Sequence, residues 1–279
     1  MKKRKLPSCT LIATTYNKPE FLRVTLEYLT RLRRMPDEII IADDGSGAET
    51  AALIDEYRGR FPVPLIHAWH EDKGFRLAAV RNLALSKAKG EYIIVIDGDI
   101  LVHPDFVADH LERAQPGVFV TGSRCQLDPT VTETLCRNVA RGHRLPPFFE
   151  ISHGLNGTRL PLLWRLFYGR KSSDPEYVRG CNMAFWRRDA EAINGFNEEI
   201  TGWGHEDTEF SWRLVNSGIE KRFLKCVAVQ AHLFHKGRDK SSHSRNRIFM
   251  ERARDERLTV IADGVDKYSK RERLTTDQK

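Results

Sequence analysis

Three polar clusters in this sequence stand where apolar runs stop, and their residue types are those that hold phosphates, sugars and hard metal ions. Thr14–Asn17 closes the run that begins at Thr10, Asp43-Asp44 follows Ile39-Ile40-Ile41-Ala42, and Asp97-Gly98-Asp99 follows Ile93-Ile94-Val95-Ile96. Two carboxylates separated by one glycine can turn off a strand and aim into one cleft. Oxygen ligands of this kind suit Mg²⁺ or Mn²⁺ shared with substrate phosphates. Taken singly, each cluster is also accounted for as a solvated turn, and Asp43-Asp44-Gly45-Ser46 is a good turn former. The coincidence of all three at strand ends carries more information than any one of them. A further acidic pair, Glu206-Asp207, follows Gly202-Trp203-Gly204-His205, and His232 and His235 end a short apolar run. An indole beside carboxylates offers a sugar an apolar face and strong hydroxyl acceptors. Composition alone supports an alternative, with Trp203 as packing and Glu206-Asp207 as the acidic first turn of a helix.

The elements that must position these residues alternate. Strands are expected at Thr10–Thr14, Glu38–Ala42, Leu65–Ala68 and Glu91–Ile96, with helices over Glu20–Leu32, Glu49–Tyr57 and Ala78–Ala88 between them. That order predicts an α/β fold with a mostly parallel sheet and right-handed crossovers. Purely apolar strands imply helices on both faces, and ligands of such sheets sit beyond the carboxyl ends of the strands. The pattern weakens after about Gly122. Residues 128–176, rich in Pro, Gly and Arg, read as an inserted, acceptor-specific or mobile segment rather than a second core. Order returns at Tyr177–Trp186, then a turn at Ile193–Phe196, a helix after Gly204 and a strand at Val227–His232. The division expected is 1–122 for one half, 123–235 for a second, fused lobe, and 236–279 for a charged helical tail.

With 279 residues, 41% hydrophobic and 30% charged, the chain has enough apolar side chains for a folded core. No apolar run approaches the roughly 20 residues of a membrane span, and the basic N-terminus leads into no secretory signal, so a cytoplasmic protein is expected. Five scattered cysteines, Cys9, Cys125, Cys136, Cys181 and Cys226, fit reduced packing thiols. The net charge of +7 is concentrated in Lys2–Lys5 and the Arg245–Arg273 region. No nucleic-acid motif accompanies it, so nucleic acid is not expected as a partner. The segment Leu160–Lys171 interleaves Leu, Trp, Phe and Tyr with Arg and Lys, as in a stretch lying on an anionic membrane or in a helix packed on the core.

Thr14-Thr-Tyr-Asn-Lys-Pro, Asp43-Asp-Gly-Ser, Arg81-Asn82 and Gly90-Glu-Tyr-Ile-Ile-Val-Ile-Asp-Gly-Asp, in this order, resemble the family 2 glycosyltransferases of the GT-A fold. The resemblance covers about the first 120 residues. It implies that Asp44 holds the base of a nucleotide-sugar donor, that Thr14 and Tyr16 line the nucleotide pocket, and that Arg81 lies near the base or diphosphate. It further implies that Asp97 holds ribose and Asp99 the metal. Independently, Arg179-Gly-Cys-Asn-Met-Ala-Phe, Gly195-Phe-Asn-Glu and Gly202-Trp-Gly-His-Glu-Asp-Thr-Glu-Phe resemble the C-terminal lobe shared by β-1,4-galactosyltransferases and bacterial chondroitin-type polymerases. This second resemblance implies acceptor contacts from Trp203 and Glu206, Asp207 as catalytic base, and a metal-binding histidine at His232, with His235 as runner-up.

Retaining polypeptide GalNAc-transferases are similar here but carry asparagine where this chain has Asp207, so an inverting transfer is expected. UDP is the nucleotide the resemblance favours, with dTDP as second choice. The expected cofactor is Mn²⁺ or Mg²⁺, with Arg76 or Lys73 adding charge near the phosphates. The acceptor expected is a glycan or lipid-linked molecule in cell-surface or lipopolysaccharide-type synthesis, modified in one step, with possible peripheral contact of the enzyme with the inner membrane face. Two competing classes are a nucleotidyltransferase, disfavoured because Thr-Thr-Tyr-Asn stands where such enzymes place a glycine-rich basic loop, and a non-catalytic nucleotide- or carbohydrate-binding module.

Overall fold

Alternate residues of each central strand belong to different apolar clusters, which fixes where the helices lie. The computed structural model describes residues 5–162, 174–237 and 239–268. Its first part runs β1 (Cys9–Thr15), α1 (Pro19–Leu29), β2 (Glu38–Asp43), α2 (Ala48–Arg58), β3 (Leu65–Trp69), α3 (Leu77–Lys87) and β4 (Tyr92–Asp97). Then come β5 (Ile100–Val102), α4 (Phe106–Arg113), β6 (Val118–Gly122), β7 (Cys125–Gln126), α5 (Pro129–Ala140) and the single turns α6 (Phe148–Ile151) and α7 (Gly154–Gly157). The chain continues through β8 (Met183–Trp186), α8 (Arg187–Ala192), α9 (Glu206–Asn216), β9 (Glu220–Leu224), β10 (Gln230–His232) and α10 (His243–Asp255). Leu11, Ile39, Ile41, Ile94 and Ile96 pack with α1, α2 and α4, whereas Ile12, Ile40, Ile93 and Val95 pack with α3, α8 and α9. The period-2 alternation of a strand thus buries both faces of the sheet, as the apolar runs predict.

The main sheet has seven strands in the order β3-β2-β1-β4-β8-β6-β9. β1 pairs in parallel with both β2 and β4, and β8 enters antiparallel between β4 and β6. The second half of the chain therefore extends the same sheet. A three-stranded sheet, β5-β10-β7, lies apart from it. Its third apolar cluster joins Val24 and Tyr28 of α1 to Leu101, Leu127, Leu135, Leu145, Phe148 and Leu233.

The structure departs from the sequence reading at four places. α1 stops at Leu29, because Thr30 turns its hydroxyl onto the Glu27 carbonyl at 2.8 Å and Leu32 closes only a tighter turn on Leu29. Part of the 128–176 segment is packed core: α5 starts at a proline in its first turn and lies on α1. The Pro146 carbonyl behind it accepts from Tyr28 Oη at 2.9 Å and Arg31 Nη1 at 3.0 Å. The strand expected at Val227–His232 shrinks to β10, since Cys226 and Ala228 adopt φ of 60° and 48°, which no strand tolerates. The region after 236 is no tail where it is described: α10 packs on α9, burying Asn246, Met250 and Ala253, and Val265 enters the core beside Phe196. Most of the Leu160–Lys171 stretch lies outside the described residues. No helix among the described residues is long and apolar enough to cross a membrane.

Candidate active site

Strand register places the first cluster. Thr14 is paired with Asp97 and Thr15 with Asp43 across β1, so the polar ends of three parallel strands open on one edge of the sheet. There Thr14, Tyr16, Asp44, Asp97 and Asp99, with Phe75, Leu77 and Trp203, line a cavity of about 350 Å³. Thr14 Oγ1 donates to Asp97 Oδ1 at 3.0 Å, and the Gly98 N–H returns to the Thr14 carbonyl at 2.6 Å, fixing the turn between the two aspartates. The neighbouring aspartates of β2 separate cleanly. Asp43 is fully buried, accepting from the Ser46 N–H and facing His67 Nε2, both at 2.8 Å. Asp44 faces the cavity, held by the Arg76 N–H at 2.8 Å and by His70 Nε2 at 2.6 Å. The Tyr16 hydroxyl donates to Asp72 at 2.8 Å while its ring borders the cavity. Lys73 pairs with Glu71 and the Arg76 side chain donates to the Glu71 carbonyl, so neither presents its charge to this cavity.

A second cavity, about 460 Å³, shares Leu77, Asp97 and Trp203 with the first and holds Arg81, Gln126, Glu206, Asp207, His232 and His235. Arg81 of α3 is buried between carboxylates, with Nη2 3.5 Å from Asp97 and Nη1 3.3 Å from Glu206. It thus sits at the junction of the cavities and away from the base-side residues. Gly180 admits it: a Cβ there would lie 2.7 Å from Arg81 Nη2. The same glycine donates its N–H to Asp207 Oδ2 at 2.8 Å. Burial, and next the adjacent Asp207, push the Glu206 carboxyl up to about 7.

Glu206 and Asp207 begin α9, where negative charge favours the helix dipole. The chain reaches that start through left-handed backbone at Gly202, Gly204 and His205, with φ of 75°, 105° and 70°. This turn presents Trp203, whose ring stacks on His243 with centroids 5.5 Å apart. Buried Asn246 of α10 donates to the carbonyls of Thr201 and Trp203 at 3.0 and 3.4 Å. Behind it, Arg213 pairs with Glu209 in the buried interior and donates to the carbonyls of Ile193 and Gly195 at 2.7 Å each, locking α9 to the turn predicted there.

The small sheet assembles the third group. β10 runs antiparallel to β5 with His232 opposite Ile100, and the Leu233 N–H donates to the Asp99 carbonyl at 3.0 Å. His232 Nε2 and His235 Nε2 lie 3.5 and 3.2 Å from the two oxygens of Asp99. One ligand atom from each of the three falls within 4.8 Å of the others, so they fit a divalent cation. A carboxylate oxygen with two imidazole nitrogens suits Mn²⁺ and its neighbours in the first transition row better than Ca²⁺. An orienting contact is present as well: His235 Nδ1 donates to the Lys236 carbonyl at 2.9 Å, which leaves Nε2 as the ligating nitrogen, while His232 Nδ1 faces the Gln126 side-chain nitrogen at 3.1 Å. Burial lowers His232 to about 4, which keeps the imidazole neutral as a ligand must be. Both histidines of the His-x-x-His spacing are therefore brought to Asp99, where the sequence singled out one. His70, Gln126 and Gly180 were not singled out as site residues; His70 and Gln126 belong to no local pattern that would mark them, and Gly180 lies in the Arg179-Gly-Cys-Asn-Met-Ala-Phe motif without a role assigned to it.

The sequence pattern of the family described as Glycosyl transferase family 2 matches residues 10–172, more than half of the chain. The chain belongs to glycosyl transferase family 2. A second pattern, described as the N-terminal domain of galactosyltransferase, matches residues 167–236, which carry Gly180, Trp203, Glu206, Asp207, His232 and His235. Relatives of this family 2 glycosyltransferase include a chondroitin synthase of Escherichia coli, 27% identical over 77% of this chain and 33% of the relative. A validoxylamine A glucosyltransferase of Streptomyces hygroscopicus subsp. limoneus is 29% identical over 77% of this chain and 49% of its own length. The chain thus spans a third to a half of these relatives. Among solved structures, TarS 1-349 of S. aureus in complex with UDP-GlcNAc superposes with a TM-score of 0.61 at 17% identity, covering 93% of this chain and 69% of that one. The mannosyltransferase PcManGT of Pyrobaculum calidifontis, in complex with GDP-Man and Mn²⁺, gives 0.56 at 21% identity, covering 83% and 58%. These likenesses establish the GT-A fold, and the family match removes the chain from the nucleotidyltransferase class.

Proposed function

We propose that this glycosyltransferase binds a nucleotide sugar, with UDP as its nucleotide, in the smaller cavity. It transfers the sugar with inversion to a hydroxyl of a glycan or lipid-linked acceptor in the larger one, acting in the cytoplasm in cell-surface polysaccharide or lipopolysaccharide-type synthesis. The observation that carries this reading is the meeting of Asp99, His232 and His235 where two cavities share the wall of Asp97 and Trp203. Asp44 holds the base, Thr14 and Tyr16 line the nucleotide pocket, and Asp97, already accepting from Thr14, takes the ribose hydroxyls. Asp99, His232 and His235 hold Mn²⁺ or Mg²⁺, which when bound offsets charge on the departing diphosphate. Trp203 gives the acceptor sugar an apolar face and Glu206 orients it. Asp207, oriented by the Gly180 N–H, takes the acceptor hydroxyl proton as that oxygen bonds to the anomeric carbon and the bond to the nucleoside diphosphate breaks on the opposite face. Arg81, expected from the resemblance near the base or diphosphate, holds Asp97 and Glu206 in register with each other, a positioning role.

Calorimetric titration of UDP, dTDP, GDP and CMP, with and without Mn²⁺, tests the donor side. UDP should bind with roughly micromolar affinity in the presence of Mn²⁺ and lose at least about tenfold in Asp99→Ala. Equal binding without metal and in the variant would refute the metal site. Absence of binding by all four nucleotides would refute the donor reading of the smaller cavity, and binding without hydrolysis or transfer of any donor would favour the non-catalytic module.

A further inference from the structure

Positive charge is paired unevenly across the larger cavity. Arg81 faces two carboxylates, but Arg124, Arg179 and Lys240, which line the same space, do not. Among the described residues none of these three has a carboxylate within ion-pairing distance. Arg124 Nη1 donates to Cys181 Sγ at 3.4 Å, the Arg179 guanidinium lies 5.9 Å from the Tyr177 ring centre, and the Lys240 ammonium 5.8 Å from that of Trp203. Several arginines elsewhere have acidic partners, as Arg23 does with Glu56, Arg137 with Glu133 and Arg159 with Asp109, while Arg31 and Arg245 are held by carbonyls. Position divides the three cations. Arg124 is near Asp97, Asp99 and His232, at the end where a donor diphosphate would lie. Arg179 immediately precedes Gly180, which orients Asp207, and Lys240 sits over Trp203 in the wall that the two cavities share, so both line the larger cavity beside the groups assigned to the acceptor.

We infer that Arg179 and Lys240 form an anion subsite, and that the acceptor carries a carboxylate or phosphate close to the hydroxyl that is glycosylated. This rests on the acceptor reading of the larger cavity. A planar guanidinium grips either group with two parallel hydrogen bonds, and an ammonium adds a point charge. With Lys240 already over the indole, the ring face and the charge together would read a sugar with an anionic substituent. The subsite also keeps acceptor charge apart from the carboxylate of Asp207, whose proton abstraction an adjacent unneutralised anion would oppose.

The probes are p-nitrophenyl β-glucuronide, p-nitrophenyl β-glucoside 6-phosphate and the neutral p-nitrophenyl β-glucoside, each titrated by saturation-transfer NMR, first without nucleotide and then with UDP and Mn²⁺. At low salt at least one charged probe should bind about tenfold more tightly than the neutral one, and the advantage should shrink as salt is added. Arg179→Gln and Lys240→Gln should each erode that preference while UDP affinity stays within about twofold, and Arg179→Lys should retain part of it. Equal binding of charged and neutral probes overturns the inference. So does a fall in UDP affinity in the two variants as large as the loss of preference, because the cations would then serve the donor diphosphate. Since the first titrations contain no nucleotide, a failure of UDP to bind would refute the donor reading and leave the charge preference measurable.

Discussion

The smaller cavity is built on the carboxyl ends of β1, β2 and β4, strands that follow one another in the first hundred residues, and is completed by Phe75, Leu77, Gly202, Trp203, Asp239 and Ser242. The larger one takes its walls from α3, the loop before β8, the first turn of α9 and the stretch after β10, elements scattered between Leu77 and Lys240. In the first, regular backbone aims the side chains. In the second, single tightly constrained positions do so: the bare Cα of Gly180 beneath Arg81, and the left-handed Gly204 and His205 that lead into Glu206 and Asp207. Recognition of a common ligand part can rest on repeating geometry, while the reacting groups depend on individually fixed contacts. A perturbation should therefore separate binding from turnover according to the wall it touches.

The largest separation is expected for Asp207→Asn. Transfer should fall by roughly 10²–10⁴-fold while UDP affinity, set in the other cavity, stays within about twofold. Kinetics and calorimetry on one preparation decide it, and near-normal transfer would remove Asp207 from the role of base. Gly180→Ala probes the same wall without altering a charge. The added methyl must displace Arg81, and a shift of that kind should cost about 10–100-fold in transfer with little change in nucleotide binding; a matching drop in both would show that the cavities are not independent.

Legibility in the sequence follows the same division. Apolar runs and turn signals gave β1 to β4 and the helices between them to within a few residues, and with them the placement of Thr14, Tyr16, Asp44, Asp97 and Asp99 on one edge. The meeting of Asp99 with His232 and His235 was visible only through resemblance, because it depends on β5 pairing with the three-residue β10, too short to leave a period. α5 was missed although Pro129 marks its start, since Val131, Leu135 and Val139 are a thin stripe among polar residues. Gly180 stood in a motif the sequence reading used, but its role was not legible there, as both of its contacts come from residues distant in the chain.

Smaller effects sharpen the contrast. The Glu206 carboxyl stands near 7, above its ordinary 4.5, so it favours the native state while protonated, and that contribution is lost as pH rises through about 7. Glu206→Gln has no proton to lose. Its melting temperature relative to wild type should thus be higher at pH 8 than at pH 5, by about 3 °C or more; a pH-independent difference would mean that Glu206 is ionised throughout. On the other wall, Tyr16→Phe removes only an exposed hydroxyl contact to Asp72. It should change stability by less than about 0.5 kcal/mol in urea unfolding and leave UDP binding intact. A tenfold weaker UDP would show that the hydroxyl itself contacts the nucleotide.

The antiparallel entry of β8 between β4 and β6 has a consequence for how the chain is made. β4 is complete at Asp97, yet the strand that covers its outer edge begins at Met183. During synthesis the run Ile93-Ile94-Val95-Ile96 therefore emerges with one row of backbone amides and carbonyls unanswered, and waits for almost a third of the chain to be translated. An apolar strand with an open edge is a template for the same strand in a neighbouring nascent chain. This places the time of greatest aggregation risk between the ribosome's passage of residues 97 and 183, so that yield should respond to translation speed and chaperone supply in that window more than in any other.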